Sequence, residues 1–163
     1  MKCRVMDSPI GPLLLAAQNG RLCEVRLLRA GEATAENAQE PVLIDAQQQI
    51  LQYFSGARQT FDIPLQMNGS EFDRAVWKKL QEIPFEAIRT YGQIASDLGM
   101  PKASRAVGGA CSRNPLLIVV PCHRVVAVTG KLTGFAAGLQ AKKTLLKHEG
   151  WRIKEDSLVF RIE

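Results

Sequence analysis

The sequence predicts a small α/β unit followed by a mainly α-helical one, and three features carry that expectation. Two apolar runs, residues 13–17 and 22–28, flank Asn19-Gly20. Asn-Gly in that setting is the strongest short hairpin signal, because a two-residue turn needs φ > 0 at both positions. Leu43, Gln47, Ile50, Leu51 and Phe54 then recur at helical spacing, with Gly56 placed to cap the end. The second half reads as short helices with their own start signals, in a stretch that holds most of the excess lysine and arginine.

Taken in order, residues 30–40 are polar, rich in Ala and Glu, and read as a loop. Phe61, Ile63 and Leu65 alternate like a strand, which Pro64 confines to an edge. Met67-Asn68-Gly69 is the expected junction between domains 1–67 and 68–163. Ser70 and Asp73 form a capping-box pattern ahead of Phe72, Val76, Leu80 and Ile83 on one helical face, and Pro84 ends that helix. Thr90 and Gln93 form a second capping box; Ile94, Ala95 and Leu98 supply the apolar face and Gly99 stops the helix. Pro101 is then expected at the first position of a helix carrying Lys102, Ala103, Ser104, Arg105, Ala106 and Val107.

Two short helices joined by a Gly-containing turn read as helix-turn-helix. The second helix has almost only small residues besides Lys102 and Arg105. Small side chains let its backbone close on a groove while the long arginine reaches inside. The same pattern also fits a plain antiparallel helix pair with Arg105 in solvent.

Composition narrows the function classes. The chain is 46% hydrophobic and 23% charged, ordinary for a protein with a real core. No apolar stretch approaches the roughly 18 residues of a membrane span, and the N-terminus has no signal-peptide core. A soluble, intracellular protein is therefore the expectation. Cysteines at 3, 23, 111 and 122 lack C-x-x-C spacing, so free thiols are expected, with no metal and no cofactor. The formal net charge of +5 permits a polyanionic partner.

The chemistry concentrates at Pro121-Cys122-His123-Arg124-Val125, which follows an apolar, strand-like run over residues 116–120. Proline cannot continue a ladder, so the chain must turn just before Cys122. A thiol beside an imidazole and a cation can ionise below its usual pKa of about 8.5, which reads as a nucleophile. A buried packing cysteine is the competing reading. Residues 138–149 read as a helix with Leu139, Leu145 and Leu146 apolar and Gly150 just past its end. Glu149, four residues after Leu145, falls on the core-facing side, where a carboxylate needs a partner. His123 is the expected partner, which gives a relay of Cys122, His123 and Glu149 with the thiol reached directly or through one water. The tail, 151–163, offers Leu158, Val159, Phe160 and Ile162 as a further strand.

Several motifs occur in one order: Tyr91-Gly92-Gln93-Ile94-Ala95, Ser104-Arg105-Ala106-Val107-Gly108-Gly109-Ala110, Asn114-Pro115, Pro121-Cys122-His123-Arg124-Val125-Val126 and Leu145-Leu146-Lys147-His148-Glu149-Gly150. Together they closely resemble the O6-alkylguanine-DNA alkyltransferases, also called methylated-DNA–protein-cysteine methyltransferases. The likeness covers essentially the whole chain, and Asp7-Ser8-Pro9-Ile10-Gly11-Pro12-Leu13 resembles the family's opening strand and turn.

The resemblance implies an RNase H-like α/β N-terminal domain, a small antiparallel sheet with a helix. It implies a mainly α C-terminal winged-helix domain, with its helix-turn-helix in the minor groove of double-stranded DNA. The implied activity is repair of O6-alkylguanine, and of O4-alkylthymine, by irreversible one-step transfer of the alkyl group to Cys122 after nucleotide flipping. By the same resemblance His123 and Glu149 activate the thiol, Asn114 bridges the relay or holds the turn, Tyr91 donates a proton to the departing guanine and crowds a phosphate, and Arg105 fills the vacated stack. Lys102, Ala103, Ser104, Gly108 and Arg124 would join Arg105 and Tyr91 on DNA, and Phe135, Ala136 and Ala137 would wall the alkyl pocket.

The chain would act as a monomer with scope for cooperative binding along DNA. Ala137 stands where the family commonly has Gly, which adds a methyl group to that wall, and Thr144 stands where Trp is common. The zinc ligands of some members are not present as a set. Three rival readings are a non-catalytic sensor of alkylated DNA, a helix-turn-helix regulator with an incidental cysteine, and a cysteine hydrolase. Cys122 argues against the first; a specific operator would mark the second and turnover through a thioester the third.

Overall fold

The computed structural model describes residues 1–32 and 37–161. The chain forms two compact units, one comprising Met1–Asn68 with Pro115–Val119, the other Gly69–Asn114 with Val120–Glu163.

The first unit is built on an antiparallel sheet of β1 (Lys2–Met6), β2 (Leu13–Gln18) and β3 (Arg21–Leu27), ordered as in the chain. β2 lies in the middle and is buried from Leu13 to Ala17, as its unbroken apolar run demands. Asn19 at φ 53° and Gly20 at φ 72° make the expected tight turn, with Gln18 opposite Arg21. The opening strand lies earlier than the resemblance implied: Lys2–Met6 pair with β2, and residues 8–11 form the turn, closed by Gly11 N–H to Ser8 O at 3.0 Å.

Helix α1 (Pro41–Ser55) starts with Pro at its first turn and ends at Gly56 in the left-handed region, φ 85°. Its buried face is Val42, Leu43, Ala46, Gln49, Ile50 and Tyr53, so the stripe is rotated from the expected one and Leu51 stays half exposed. Gln49 is tolerated inside because its amide exchanges two hydrogen bonds with the Asp62 backbone, at 3.0 and 2.9 Å. The strand expected over Phe61, Ile63 and Leu65 does not form. Leu65 makes a single parallel bridge to Leu22, because Pro64 can only accept there, from Leu22 N–H at 2.9 Å. Of the expected loop, residues 33–36 lie outside the described residues, and the rest is irregular.

The second unit begins with α2 (Glu71–Gln81), capped by Ser70, whose Oγ accepts from Asp73 N–H at 3.0 Å. The Asp73 carboxylate also takes the Arg113 guanidinium, at 2.8 and 3.0 Å. A two-residue strand β4 (Arg89–Thr90) leads into α3 (Tyr91–Asp97), where the full capping box forms: Gln93 N–H to Thr90 Oγ1 at 3.1 Å and Thr90 N–H to Gln93 Oε1 at 2.9 Å. Gly99 then takes φ 73°.

The second helix starts later than expected. Pro101 and Lys102 sit in a turn closed by Ala103 N–H to Met100 O at 2.9 Å, and α4 runs Ser104–Ser112 with Ala103 as N-cap. A 3-10 turn (Cys122–Arg124) precedes β5 (Val125–Val126), which pairs parallel with β4.

Helix α5 (Leu139–His148) follows the predicted bounds, with Glu149 as C-cap and Gly150 at φ 95°. The tail forms a hairpin of β6 (Trp151–Lys154) and β7 (Ser157–Arg161), where one strand was expected; Ile162 lies outside the described residues. Among the described residues, no helix is long and apolar enough to cross a membrane.

Trp77, 1% exposed, ties α2 to α4 through its indole N–H on Ala110 O at 2.9 Å. A Cβ on Gly69 would land on that ring, 2.7 Å from Cζ3. The ring is pinned, so it cannot move aside cheaply. Gly69→Ala is expected to cost about 2 kcal/mol through overpacking. Urea unfolding should show a lower midpoint at constant slope, and an unchanged midpoint would mean that the backbone before α2 shifts freely.

Candidate active site

The apolar run that leads to the cysteine is not a strand. Only Leu116 pairs, bridging Val25 through Val25 N–H to Pro115 O at 2.8 Å and Leu117 N–H to Val25 O at 3.0 Å. The chain then bends tightly, with Ile118 at φ 72°. Residues 116–120 are apolar because they are buried all round, and burial alone does not distinguish a strand from a packed turn.

Cys122 opens the 3-10 turn at 2% exposure. Asn114, just beyond α4, donates from Nδ2 to Cys122 Sγ at 3.1 Å and to Val120 O at 2.8 Å. One amide thus fixes both the thiol and the backbone that presents it. The next side chain, His123, is fully buried, and its Nε2 meets Glu149 Oε2 at 2.5 Å. Its Nδ1 has no protein partner among the described residues, and thiol and imidazole are not hydrogen-bonded to each other.

Arg124 does not face outward as a DNA contact would. It is buried, donating from Nε to Glu149 Oε1 at 2.7 Å, from Nη2 to Glu149 Oε2 at 3.2 Å and from Nη1 to Ile83 O at 2.6 Å. His123 and Arg124 both turn inward, so the pair grips one carboxylate between them.

The electrostatics revise one expectation. Burial pushes the Cys122 thiol up to about 11, against the pull of the Asn114 hydrogen bond and the Lys142 charge. Adjacency to His123 and Arg124 does not make a thiolate here, because both are committed to Glu149. Burial also disfavours the imidazolium and lowers His123 against the attraction of Glu149, so the ring is neutral. Burial alone would raise Glu149, but His123 and the Arg124 fork outweigh it and hold the carboxyl at about 2.

Lys142 was missed by sequence reasoning. It is fully buried in α5, its Nζ donating to Val125 O at 2.7 Å and Thr133 O at 3.1 Å, and burial lowers its pKa. Its position three residues from both Leu139 and Leu145, on the apolar stripe, was the available signal.

A groove of about 400 Å³ lies beside α3 and α4, lined by Tyr91, Ser104, Arg105, Gly108, Ser112, Thr133 and Gly134. Tyr91 OH approaches Thr133 Oγ1 at 3.4 Å, and the Lys142 Nζ stands 5.9 Å from the Tyr91 ring centre. Burial raises the Tyr91 phenol, so it stays protonated.

The structure thus gathers Cys122, His123, Asn114 and Glu149 in one buried cluster, and Tyr91, Ser104, Arg105 and Gly108 in one groove. Lys102 is exposed in the turn before α4, with Ala103 at its cap. Phe135, Ala136 and Ala137 follow the groove-lining pair Thr133 and Gly134 without lining the groove themselves. Among the described residues, no group of three or more His, Cys, Asp or Glu is placed to hold a metal ion.

Because folding favours the ionised Glu149, its stabilising effect is full above the unfolded pKa of roughly 4.3 and is lost as pH falls toward 2. Glu149→Gln leaves Arg124 buried without its countercharge and is expected to cost about 3–5 kcal/mol at pH 7. Denaturant unfolding as a function of pH should show that gap closing below pH 4, and a gap independent of pH would mean that the carboxylate charge is not what stabilises the site.

Two family models match the chain: the ribonuclease-like domain of 6-O-methylguanine DNA methyltransferase over residues 1–67, and its DNA-binding domain over residues 71–151. A methylated-DNA–protein-cysteine methyltransferase of Methanosarcina acetivorans is 46% identical over 90% of this chain and 96% of its own length. One from Mycobacterium bovis is 41% identical over 96% and 97%. The crystal structure of Mycobacterium tuberculosis OGT in complex with DNA superposes with a TM-score of 0.83 at 42% identity, covering 91% of this chain and 92% of that one. Since both domain models match in order and the relatives are similar from end to end, the chain belongs to the 6-O-methylguanine DNA methyltransferase family.

Proposed function

We propose that this chain repairs O6-alkylguanine in double-stranded DNA by taking the alkyl group onto Cys122, once per molecule. The observation that carries the reading is the arrangement of Cys122: a thiol held by Asn114, next to a neutral His123 on an ionised Glu149, and joined through Lys142 to Tyr91, which lines a groove that also holds Arg105. Domain 68–163 is the DNA-binding and active-site domain in this reading, and 1–67 a separate α/β domain. The protein works as a monomer in the cytoplasm, with access to chromosomal DNA.

A base within a duplex hides its O6 substituent, so the nucleotide must be extruded, at a cost of a few kcal/mol. The small residues of α4 allow close approach to the minor groove, and the exposed Arg105 fills the vacated stack. Lys102, Ala103, Ser104 and Gly108 lie at or near the same helix start and contact the backbone and groove floor. Phe135, Ala136 and Ala137 wall the alkyl group from the segment just after Gly134. O4-alkylthymine presents the same kind of alkyl carbon and is a second substrate.

With a pKa of about 11, only about one thiol in ten thousand is ionised at pH 7, so deprotonation belongs to the reaction. The neutral imidazole takes the thiol proton through a water, and Glu149, pinned by Arg124, stabilises the imidazolium that results. Sulfur bonds to the alkyl carbon as the carbon–O6 bond breaks and its electron pair leaves on guanine. Tyr91 donates a proton to the departing base and recovers one, through solvent, from His123. The product thioether has no carbonyl for water to attack, so Cys122 is not regenerated.

The test is mass analysis after incubation with a duplex carrying one O6-methylguanine. One methyl on the Cys122 peptide, saturating at one per chain and absent with undamaged DNA, is expected. Unmodified Cys122 on bound DNA would point to a sensor or regulator instead. Tyr91→Phe should slow single-turnover methylation about 100-fold while leaving its endpoint unchanged. A rate equal to the wild type's would remove Tyr91 as the acid.

A further inference from the structure

We infer that the C-terminal hairpin clamps one wall of the groove and thereby sets the size of the O6 substituent accepted, an inference that rests on the proposed function. Thr133 and Gly134 form that wall and line the groove together with Tyr91 and Arg105, yet they lie in a stretch without regular structure between β5 and α5. An irregular segment holds its shape only if its backbone groups are bound elsewhere.

The hairpin supplies those partners. Leu158 N–H donates to Gly130 O at 2.9 Å, Leu132 N–H donates to Asp156 O at 2.7 Å, and Lys131 bridges Ser157 in antiparallel fashion. Residues 130–132 are therefore held along the edge of β7 by one bridge and two flanking hydrogen bonds. Gly130 is close enough that a Cβ there would stand 3.4 Å from Leu158 O. Beneath this edge Trp151, Ile153 and Leu158 pack on Val126, Leu132 and Leu146, which joins hairpin, β5, wall and α5 in one apolar cluster.

The wall residue Thr133 comes next in the chain after Leu132. Its carbonyl is held from the other side by Lys142 and its hydroxyl lies against Tyr91 OH. The wall is thus fixed at two successive residues, Leu132 by the hairpin and Thr133 by α5.

The hairpin turn is itself kept in a costly conformation. Glu155 and Asp156 both take positive φ, 48° and 60°, where Asn-Gly would be at ease. Lys143 of α5 pairs with the Asp156 carboxylate, and the Asp156 carbonyl is the one that receives Leu132. That conformation aims the carbonyl at the wall, and loosening it moves Thr133 and Gly134 away from Tyr91.

The test compares second-order rates of Cys122 alkylation by duplexes carrying O6-methylguanine or O6-benzylguanine, with amide exchange at Leu132 reporting the clamp. Leu158→Pro removes the hydrogen bond to Gly130. It is expected to speed exchange at Leu132 and to raise the benzyl-to-methyl rate ratio about tenfold, because the methyl substrate loses its positioning while the larger one gains room. Glu155→Asn eases the turn and works in the opposite direction, slowing exchange at Leu132 and lowering the ratio. This second variant also keeps the test decisive where Leu158→Pro does not fold.

Equal loss of both rates in Leu158→Pro, or slower exchange in Glu155→Asn with an unchanged or higher ratio, overturns the clamp. Absence of any alkylation of wild-type Cys122 would instead overturn the function on which it rests.

Discussion

Glu149 is 1% exposed and ionised, a combination that is costly unless both carboxylate oxygens are engaged. Oε1 takes Arg124, and Oε2 takes both His123 and the second arm of the Arg124 fork. The site depends on this one carboxylate. Its place at the C-cap of α5 fixes that helix against the 3-10 turn, and its grip on residues 123 and 124 fixes the direction in which residue 122 presents its thiol. Arg124 carries the same restraint on to Ile83 O after α2, so an electrostatic contact in the site also joins α2, the turn and α5.

A carboxylate at a helix C-terminus opposes the helix dipole, which normally excludes acids from that position. The penalty is met here by a guanidinium from a neighbouring turn, which supplies charge as well as the paired geometry that arginine offers a carboxylate. Lysine at position 124 would lack the fork and could not hold both oxygens while also reaching Ile83. The two buried cations divide the work. Arg124 neutralises Glu149, and Lys142 satisfies the carbonyls of Val125 and Thr133, one on the strand after the cysteine and one on the groove wall.

The features legible in the sequence have local causes. Asn19-Gly20, the Thr90 and Gln93 capping box, and the left-handed glycines 56, 99 and 150 act within a few residues, and the structure has them where expected. The nearness of His123 to Glu149 could be argued because a buried acid needs a partner and histidines are few.

What was misread depends on contacts distant in sequence. Residues 116–120 resemble a strand only until it is known that one residue of β3 is free to pair with them. Arg124 counts among the DNA contacts by resemblance until Glu149 claims it. Pro101 reads as a helix start because its φ suits one, but the turn from Met100 to Ala103 uses that φ just as well. The thiol's pKa was inferred from sequence neighbours, whereas burial decides it.

In the proposed reaction Cys122 is used once, and that last discrepancy bears on how such an acceptor survives. A preformed thiolate would react with any electrophile reaching it, and each such reaction would remove one protein from use. A buried thiol with a pKa of about 11 is slow toward chance reagents, while a neutral base beside it keeps ionisation within reach once substrate is seated. Deprotonating such a thiol at pH 7 costs about 1.4 kcal/mol per pH unit of mismatch, roughly 5–6 kcal/mol in all. In the proposed reaction, interactions formed only with the flipped nucleotide in place supply part of that. Binding energy realised on the damaged base then becomes rate at the cysteine, and undamaged DNA, which seats no alkyl carbon, leaves the thiol protonated.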